Sequence, residues 1–268
     1  MRIMTTKTLV TDLARLGLCA GQTVLAHTSM KALDGYVVGD APAVVDALMA
    51  VLTPAGTLIM PTHSSNNTDP VHWQIDPPAP AHWDLIRAEM PPYRPEITPT
   101  NRMGAINECF RNYPGVRRSA HPAFSFAAWG RQAEFITAGQ ALNNAVAEQG
   151  PIGRLYDLDG WVLLLGVGHG RNTSLHLADF RADYAPKTVE VNGSAMLVDG
   201  RRVWVTYRDD AIGSDDFAEL GAAYEAETGA VTVGQVGGAT ARFMRQRPLV
   251  DWAVGWLERA RGHQTLVG

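Results

Sequence analysis

The residues with the clearest chemical potential lie in NTSLHLADF, Asn172 to Phe180, where His176 stands three positions ahead of Asp179. Side chains at that spacing on a helix share nearly one face and can touch. A carboxylate on one imidazole nitrogen fixes the tautomer, raises the basicity of the other nitrogen and stabilises the imidazolium once a proton has been taken, so the pair has the makings of a general base. Asn172, Thr173 and Ser174 are all good capping residues, and the spacing predicts a helix that starts there with His176 in its first turns. An arbitrary His-x-x-Asp is more often an incidental pair at an exposed helix start. Here it follows WVLLLGVG, Trp161 to Gly168, which reads as an interior strand ending in glycines. Ligands of open α/β sheets bind beyond the carboxyl ends of such strands, and that position favours function.

Other constellations are weaker. The glycines of GVGHG let backbone come close to a ligand, and free amides at the next helix start would favour an anion. GVGHGR lacks the last glycine of a dinucleotide fingerprint, and no P-loop, GxSxG or HExxH is present. His63, Asp69, His72 and His82 are types that could bind metal, but their spacings do not match the tight pairs of zinc sites, and no metal is expected. His121, in RRSAHPAFS, is either a structural histidine ahead of Pro122 or part of an anion site with Arg117, Arg118 and Ser119.

The elements that must position these groups alternate. Thr6–Leu16 has helical spacing and is closed by Gly17 and Gly21 before the strand TVLAH; HTSMKALDGYVVGD is a loop. Ala41–Leu52 reads as a helix with Asp40 as N-cap and Pro42 in its first turn, and the strand GTLIMP follows. The β-α-β order predicts parallel strands covered by helices. From about 63 to 99 prolines cluster and no period is sustained, which marks a functional or mobile segment. MGAINECF and RQAEFITAG are expected helices, and FSFAAWG is an ordered run between them. In the C-terminal third, about 187 to 210, Asn192-Gly193 and Asp199-Gly200 stand between β-rich runs as two hairpin signals, and Asp215–Glu227 and Leu249–Arg261 read as closing helices. The expected fold is a single three-layer α/β/α domain over 1–268, with a mainly parallel central sheet and an antiparallel hairpin elaboration.

With 268 residues, 46% of them hydrophobic and 19% charged, the composition is that of an ordinary globular chain. A net charge of -4 with 23 Lys+Arg argues against a nucleic-acid partner and would suit a cationic one. No run approaches the ~20 apolar residues that cross a bilayer, and MRIMTTKTLVTDLARLG lacks a leader's features, so no membrane partner and a cytoplasmic location are expected. Cys19 and Cys109 cannot build a disulfide framework and read as small buried hydrophobes in a reducing compartment.

Together HTSMKALDGYVVGD, LTPAGTLIMPTHS, PTNRMGAINECFR, RRSAHPAFSFAAWG, GPIGRLYDLDGWVLLLGVG and NTSLHLAD resemble the aminoglycoside 3-N-acetyltransferase family, which is distinct from the GNAT fold; DDFAELGAAYE and LVDWAVGWL are more weakly similar. The resemblance covers nearly the whole chain. It implies direct transfer from acetyl-CoA to the 3-amine of a deoxystreptamine antibiotic, hence antibiotic resistance, by a monomer or homodimer. His176 matches the family's catalytic histidine, while Asp179 stands where the family generally has glutamate, one methylene longer. The HTSMK match implicates Thr28, Ser29, Met30 and Lys31 in holding coenzyme A, and Met103, Arg118, Ser119 and His121 fall in further matching segments with the same expected role. Asn107 replaces a common proline and Asp40 a common glycine, neither expected to touch the chemistry. An aminoglycoside amine is mostly protonated at neutral pH, so the site must bind a cation and then remove a proton as nitrogen attacks the thioester. On this reading His176 takes the proton, and amides with the Thr173 hydroxyl at the helix start stabilise the oxyanion. Asp69, Asp215, Asp216 and Glu225 are the candidates for the remaining ammonium groups. Rival readings are the same fold acting on another amine, a metal-dependent hydrolase using His63, Asp69 and His72, and a non-catalytic protein that binds coenzyme A.

Overall fold

A computed structural model describes residues 1–185, 187–211 and 213–262. Residues 263–268, at the end of the expected domain, lie outside the described residues. The chain opens with β1 (Ile3–Met4), α1 (Thr6–Leu16), β2 (Thr23–Thr28), β3 (Tyr36–Val37), α2 (Asp40–Leu52) and β4 (Thr57–Pro61). Next come α3 (Trp83–Glu89), α4 (Ala105–Phe110), β5 (Arg117–Arg118), β6 (Phe126–Gly130), α5 (Ala133–Thr137), α6 (Pro151–Asp157), β7 (Trp161–Leu165) and α7 (Ser174–Arg181). It closes with β8 (Val189–Val198), β9 (Arg201–Asp210), α8 (Phe217–Thr228), β10 (Thr232–Val236), β11 (Ala239–Arg245) and α9 (Gln246–Gly262).

The large sheet has strand order β10-β11-β7-β2-β4-β6-β5. Its centre, β7-β2-β4, is parallel, with Leu25 paired to both Ile59 and Val162. Five of the seven strands run one way; β11 and β6 run against them and make the flanking pairs antiparallel. The central strands are apolar without alternation because both faces are covered. Val24, Ala26, Leu163 and Leu165 enter one core cluster with residues of α1, α2 and α4. Leu25, Val162 and Leu164 enter the other with residues of α5 to α9. Truncating Leu25, Leu163, Leu164 or Leu165 to alanine would cost about 2–5 kcal/mol, since a buried site collapses only partly around the void.

Local signals explain several boundaries. Thr5 and Thr8 form a reciprocal capping box on α1, and left-handed Gly17 ends it. Asp40 does not cap α2: Gly39 holds the N-cap position with φ 90°, and Asp40 itself has φ 55°, with no capping bond made. That backbone would suit a glycine, and aspartate tolerates it better than most residues. The segment expected to be irregular contains α3, a short helix whose solvent-facing residues do not form an apolar period. Cys19 is exposed and Cys109 half-buried, both free, so Cys19 is not the buried hydrophobe expected.

Of the two hairpin signals only Asp199-Gly200 turns the chain, with positive φ at both residues as a two-residue primed turn requires. Asn192-Gly193 lies within β8, opposite Tyr207 and Thr206. Gly193 serves a different purpose, because a Cβ there would come within 2.5 Å of the Trp204 ring. The β8–β9 ladder forms a sheet of its own, apart from the large one, and is tied to the rest by hydrogen bonds, most of them through side chains. Among these are Tyr93 N to Ala195 O, at 2.8 Å, and His72 Nε2 to Val191 O, at 2.9 Å.

Candidate active site

The helices that follow β2 and β7 leave for opposite faces, α2 into one core cluster and α7 into the other. Such divergence opens a crevice at the carboxyl ends of the two strands. Ser29 N continues their pairing by donating to Leu165 O at 2.9 Å. Gly166, with φ 70°, lets the two loops meet, since a Cβ there would lie 2.4 Å from Ala32 Cβ. Over these strand ends lies a cavity of about 1220 Å³. His27, Thr28, Ser29, Met30 and Lys31 line it from β2 onward, with His63 after β4, Met103 and Asn107 near α4, and Thr173 and His176 at the start of α7.

The structure thus brings Thr28, Ser29, Met30, Lys31, Met103, Thr173 and His176 to one cavity. Asn107 and Asp40 line it too. Asn107 is buried, accepts the Thr28 hydroxyl at 2.8 Å and donates to Pro61 O at 2.9 Å, tying the β2 loop to the end of β4. Proline could make neither side-chain bond.

Arg118, Ser119 and His121 do not line the cavity. Arg118 donates to Thr62, Ser125, Pro95 O and Thr98 O. The Ser119 hydroxyl donates to Gln140 and accepts from Phe126 N. His121 accepts the Ala123 and Phe124 amides on Nδ1 and donates from Nε2 to Leu142 O at 3.0 Å. Burial pushes this histidine down to about 4, so it stays neutral and is the structural alternative of the two readings given above.

Three imidazoles meet in the cavity wall, and two of them carried no catalytic expectation. His27 Nε2 accepts from Thr173 N at 3.4 Å and lies 3.3 Å from Thr173 Oγ1. Burial, then the neighbouring His176, pushes His27 down to about 3. His63 stands edge-on to Phe124 and Phe126, with Nε2 buried and without a partner, and burial followed by His27, His176, His121 and Arg118 pushes it to about 3. His176 packs against the Phe217 ring at 4.9 Å and is held at about 4 by burial and then Arg261. Crowded imidazoles lose protons because each charged one would repel the next in a poorly solvated space. A polar residue at the end of the apolar run TVLAH was the one signal that could have found His27.

The α7 start differs from expectation. Asn172 Oδ1 accepts Ser174 N at 3.2 Å, Thr173 N goes to His27, and the Leu175 and His176 amides donate to Asn172 O and Thr173 O. The first amides of α7 are therefore all engaged, which leaves the Thr173 hydroxyl as the donor there that can exchange partners. Asp179 is fully buried yet makes no hydrogen bond to His176. Its Oδ1 accepts from the Tyr184 hydroxyl and, at 2.9 Å, from Arg261 Nη1. Asp179 Oδ2 and His176 Nδ1 are both buried without a partner.

The candidate acids are used elsewhere. Asp69 grips Arg87 with both oxygens at 2.8 and 2.9 Å, Asp216 grips Arg261, and Glu225 pairs with His169 and Arg242. Asp215 is exposed, and none of the four lines the cavity. Glu190, Asp209 and Asp210 do, from the hairpin. Asp209 Oδ1 accepts Asn144 N at 2.6 Å, and burial raises its carboxyl above the usual range. On the strand-end side Lys31, Arg102 and Arg171 reach the cavity, exposed and without ion-pair partners among the described residues. Among those residues no group of three or more His, Cys, Asp or Glu could hold a metal ion, and no helix is long and apolar enough to cross a membrane.

Comparison with known proteins places these features. The chain is 41% identical over 254 residues to the SPbeta prophage-derived aminoglycoside N(3')-acetyltransferase-like protein YokD of Bacillus subtilis (strain 168), covering 94% of this chain and 92% of that protein. The crystal structure of YokD superposes with a TM-score of 0.92 at 40% identity, over 96% of this chain and 94% of that one. A structure of AAC-VIa bound to sisomicin matches with TM-score 0.86 at 31% identity, over 96% and 98% of the two chains. AAC-IIIb in binary complex with CoASH matches with TM-score 0.86 at 25% identity, over 97% and 98%. The family model for aminoglycoside 3-N-acetyltransferase covers residues 25–258, and the chain belongs to this family of acyltransferases.

Proposed function

We propose that this chain, as one three-layer α/β/α domain, transfers the acetyl group of acetyl-CoA directly to the 3-amino group of an aminoglycoside's deoxystreptamine ring, and so confers antibiotic resistance. The observation that carries the reading is the composition of the cavity wall. It combines imidazoles that burial keeps proton-free with cations brought by the strand-end loops and acids brought by the hairpin. At about 1220 Å³ the cavity exceeds the ~300–1,000 Å³ usual for one drug-sized ligand, as a site for two reactants must.

Coenzyme A bound there supplies an acetyl thioester, and the residues present fit it. Lys31, Arg102 and Arg171 suit phosphates, while Thr28, Ser29, Met30 and Met103 offer a loop and thioether surface. Glu190, Asp209 and Asp210 receive the ammonium groups of the acceptor, in place of Asp69, Asp215, Asp216 and Glu225. His176, neutral at pH 7, takes the proton from the attacking amine. Its Nδ1 is sealed in the protein, so Nε2 is the nitrogen that accepts. The Thr173 hydroxyl, bound to His27 in the absence of ligand, turns toward the carbonyl oxygen as charge builds on it. A donor placed there is worth about 3 kcal/mol, and His27 is the group that positions it. The test is acetylation of an aminoglycoside panel with and without a free 3-amine. Turnover confined to compounds that carry the 3-amine is expected; equal turnover of 3-deamino analogues would sink the assignment of the acceptor.

A further inference from the structure

Arg261 lies in the last turn of α9, beyond the stretch matched by the family model. Every N–H of its guanidinium has work to do. Nη1 donates to Asp179 Oδ1 at 2.9 Å and to the Tyr184 hydroxyl at 2.6 Å; Nε and Nη2 hold Asp216 at 2.9 and 2.7 Å, and Nη2 also reaches Gly213 O at 3.2 Å. The Tyr184 ring lies under the guanidinium at 5.2 Å. One side chain therefore joins α9 to the helix that carries His176 and to the loop ahead of α8, whose Ser214 and Phe217 line the cavity.

Asp179 is gripped by one oxygen only. Its Oδ2 is buried without a partner, as is Nδ1 of His176 three positions back on the same helix. We infer that Arg261 is the positioning residue of this acyl-transfer site, holding Asp179 by Oδ1 so that Oδ2 is kept for the Nδ1–H of His176 when that ring takes up a proton. The inference rests on His176 being the base. In the balance, the amine nitrogen bonds to the acetyl carbonyl carbon as its N–H proton passes to Nε2, and the imidazolium charge is shared through Nδ1–H with Oδ2 while Arg261 stays on Oδ1; the C–S bond then breaks and the thiolate leaves as the free thiol, taking up the proton that Nε2 returns. With the ring neutral, burial and then the charge of Arg261 keep His176 proton-free until the amine arrives.

The groups around His176 are Asp179 on its own helix, His27 from β2, His63 after β4, the Phe217 ring from α8 and Arg261 from α9. His27 and His63 stay neutral through the working range, so Arg261 and Asp179 are the charges that matter there.

The experiment is an NMR titration of the His176 imidazole, assigned with His176→Gln, beside the acid limb of the kcat/KM profile. Replacement Arg261→Gln is expected to raise the proton affinity of His176 about tenfold and to move the acid limb up with it. Arg261→Lys, which keeps the charge, is expected to hold both near the parent value. Tyr184→Phe removes one hydroxyl from the same carboxylate oxygen without touching an ion pair, and a smaller upward shift is expected. If Arg261→Gln does not fold, Tyr184→Phe decides alone. A titration unmoved in every folded variant, or moved equally by Arg261→Lys, overturns the inference. The titration reads Arg261 whether or not acetyl transfer occurs, whereas a His176→Gln protein acetylating at the parent rate would overturn the base assignment instead.

Discussion

The floor and the roof of the cavity are built on opposite principles. The floor is the carboxyl end of β7-β2-β4, where Val162 to Leu165 are fully buried and each strand is hydrogen-bonded on both sides. The roof is the β8–β9 hairpin, which presents Val189 and Val191 to solvent at more than half exposure and is moored by hydrogen bonds to Tyr93, His72, Asn143, Asn144 and the α3 end. The floor carries the imidazoles, the roof the acids. Under the proposed function, the groups that hold a proton at a defined atom are placed by a close-packed core, while the groups that receive a flexible polycation ride on a thinner element.

Four experiments test that contrast. The largest effect is expected from the floor: His176→Gln should lower kcat by about 10²–10⁴-fold with little change in the affinity for coenzyme A, read by isothermal titration. Parallel loss of affinity would mean that the floor binds rather than reacts. In the roof, Asp209→Asn with Asp210→Asn should raise the KM for a multiply charged acceptor by about 10–100-fold and leave kcat nearly unchanged. A fall in kcat at constant KM would erase the division of labour.

Acid should loosen the floor first. His27, His63, His121 and His176 have folded-state values of about 3 to 4 against an ordinary 6.5, so the unfolded chain binds more protons between those limits. Their contribution to stability is fully present above pH 6.5 and is lost as pH falls toward 4. Thermal denaturation between pH 7 and 4.5 is expected to show a falling Tm, less so in His63→Phe; a flat profile would contradict it. The smallest effect is structural and confined to the roof. Gly193→Ala forces the Trp204 ring aside and should cost about 1–3 kcal/mol in urea denaturation, with kcat retained.

Legibility in the sequence follows the same division. The parallel core, α1 and the Asp199-Gly200 turn were readable because apolar runs, capping residues and turn chemistry act over a few residues. Asn192-Gly193 carried the same turn signal and failed, since its glycine answers to Trp204 across the ladder. The cavity position of His176 could be read because strand, glycines and helix start are contiguous. His27, brought against Thr173 from 146 positions away, could not be placed by any local pattern. The acids were misplaced for the same reason: Asp69, Asp216 and Glu225 each found a cation in a distant element, and Asp209 and Asp210 were carried to the cavity by hairpin docking.

By itself, then, the sequence determined the mainly parallel α/β core, the loop after β2 and the helix start that carries His176. Only the tertiary structure decided which nitrogen of His176 is sealed, that Asp179 answers to Arg261 rather than to His176, and which carboxylates face the cavity. Periodicity and capping are short-range and survive in the linear order of residues. The partner of a buried charge is chosen by whichever opposite charge the fold brings within reach, because leaving it unpaired costs more than any local preference can offset.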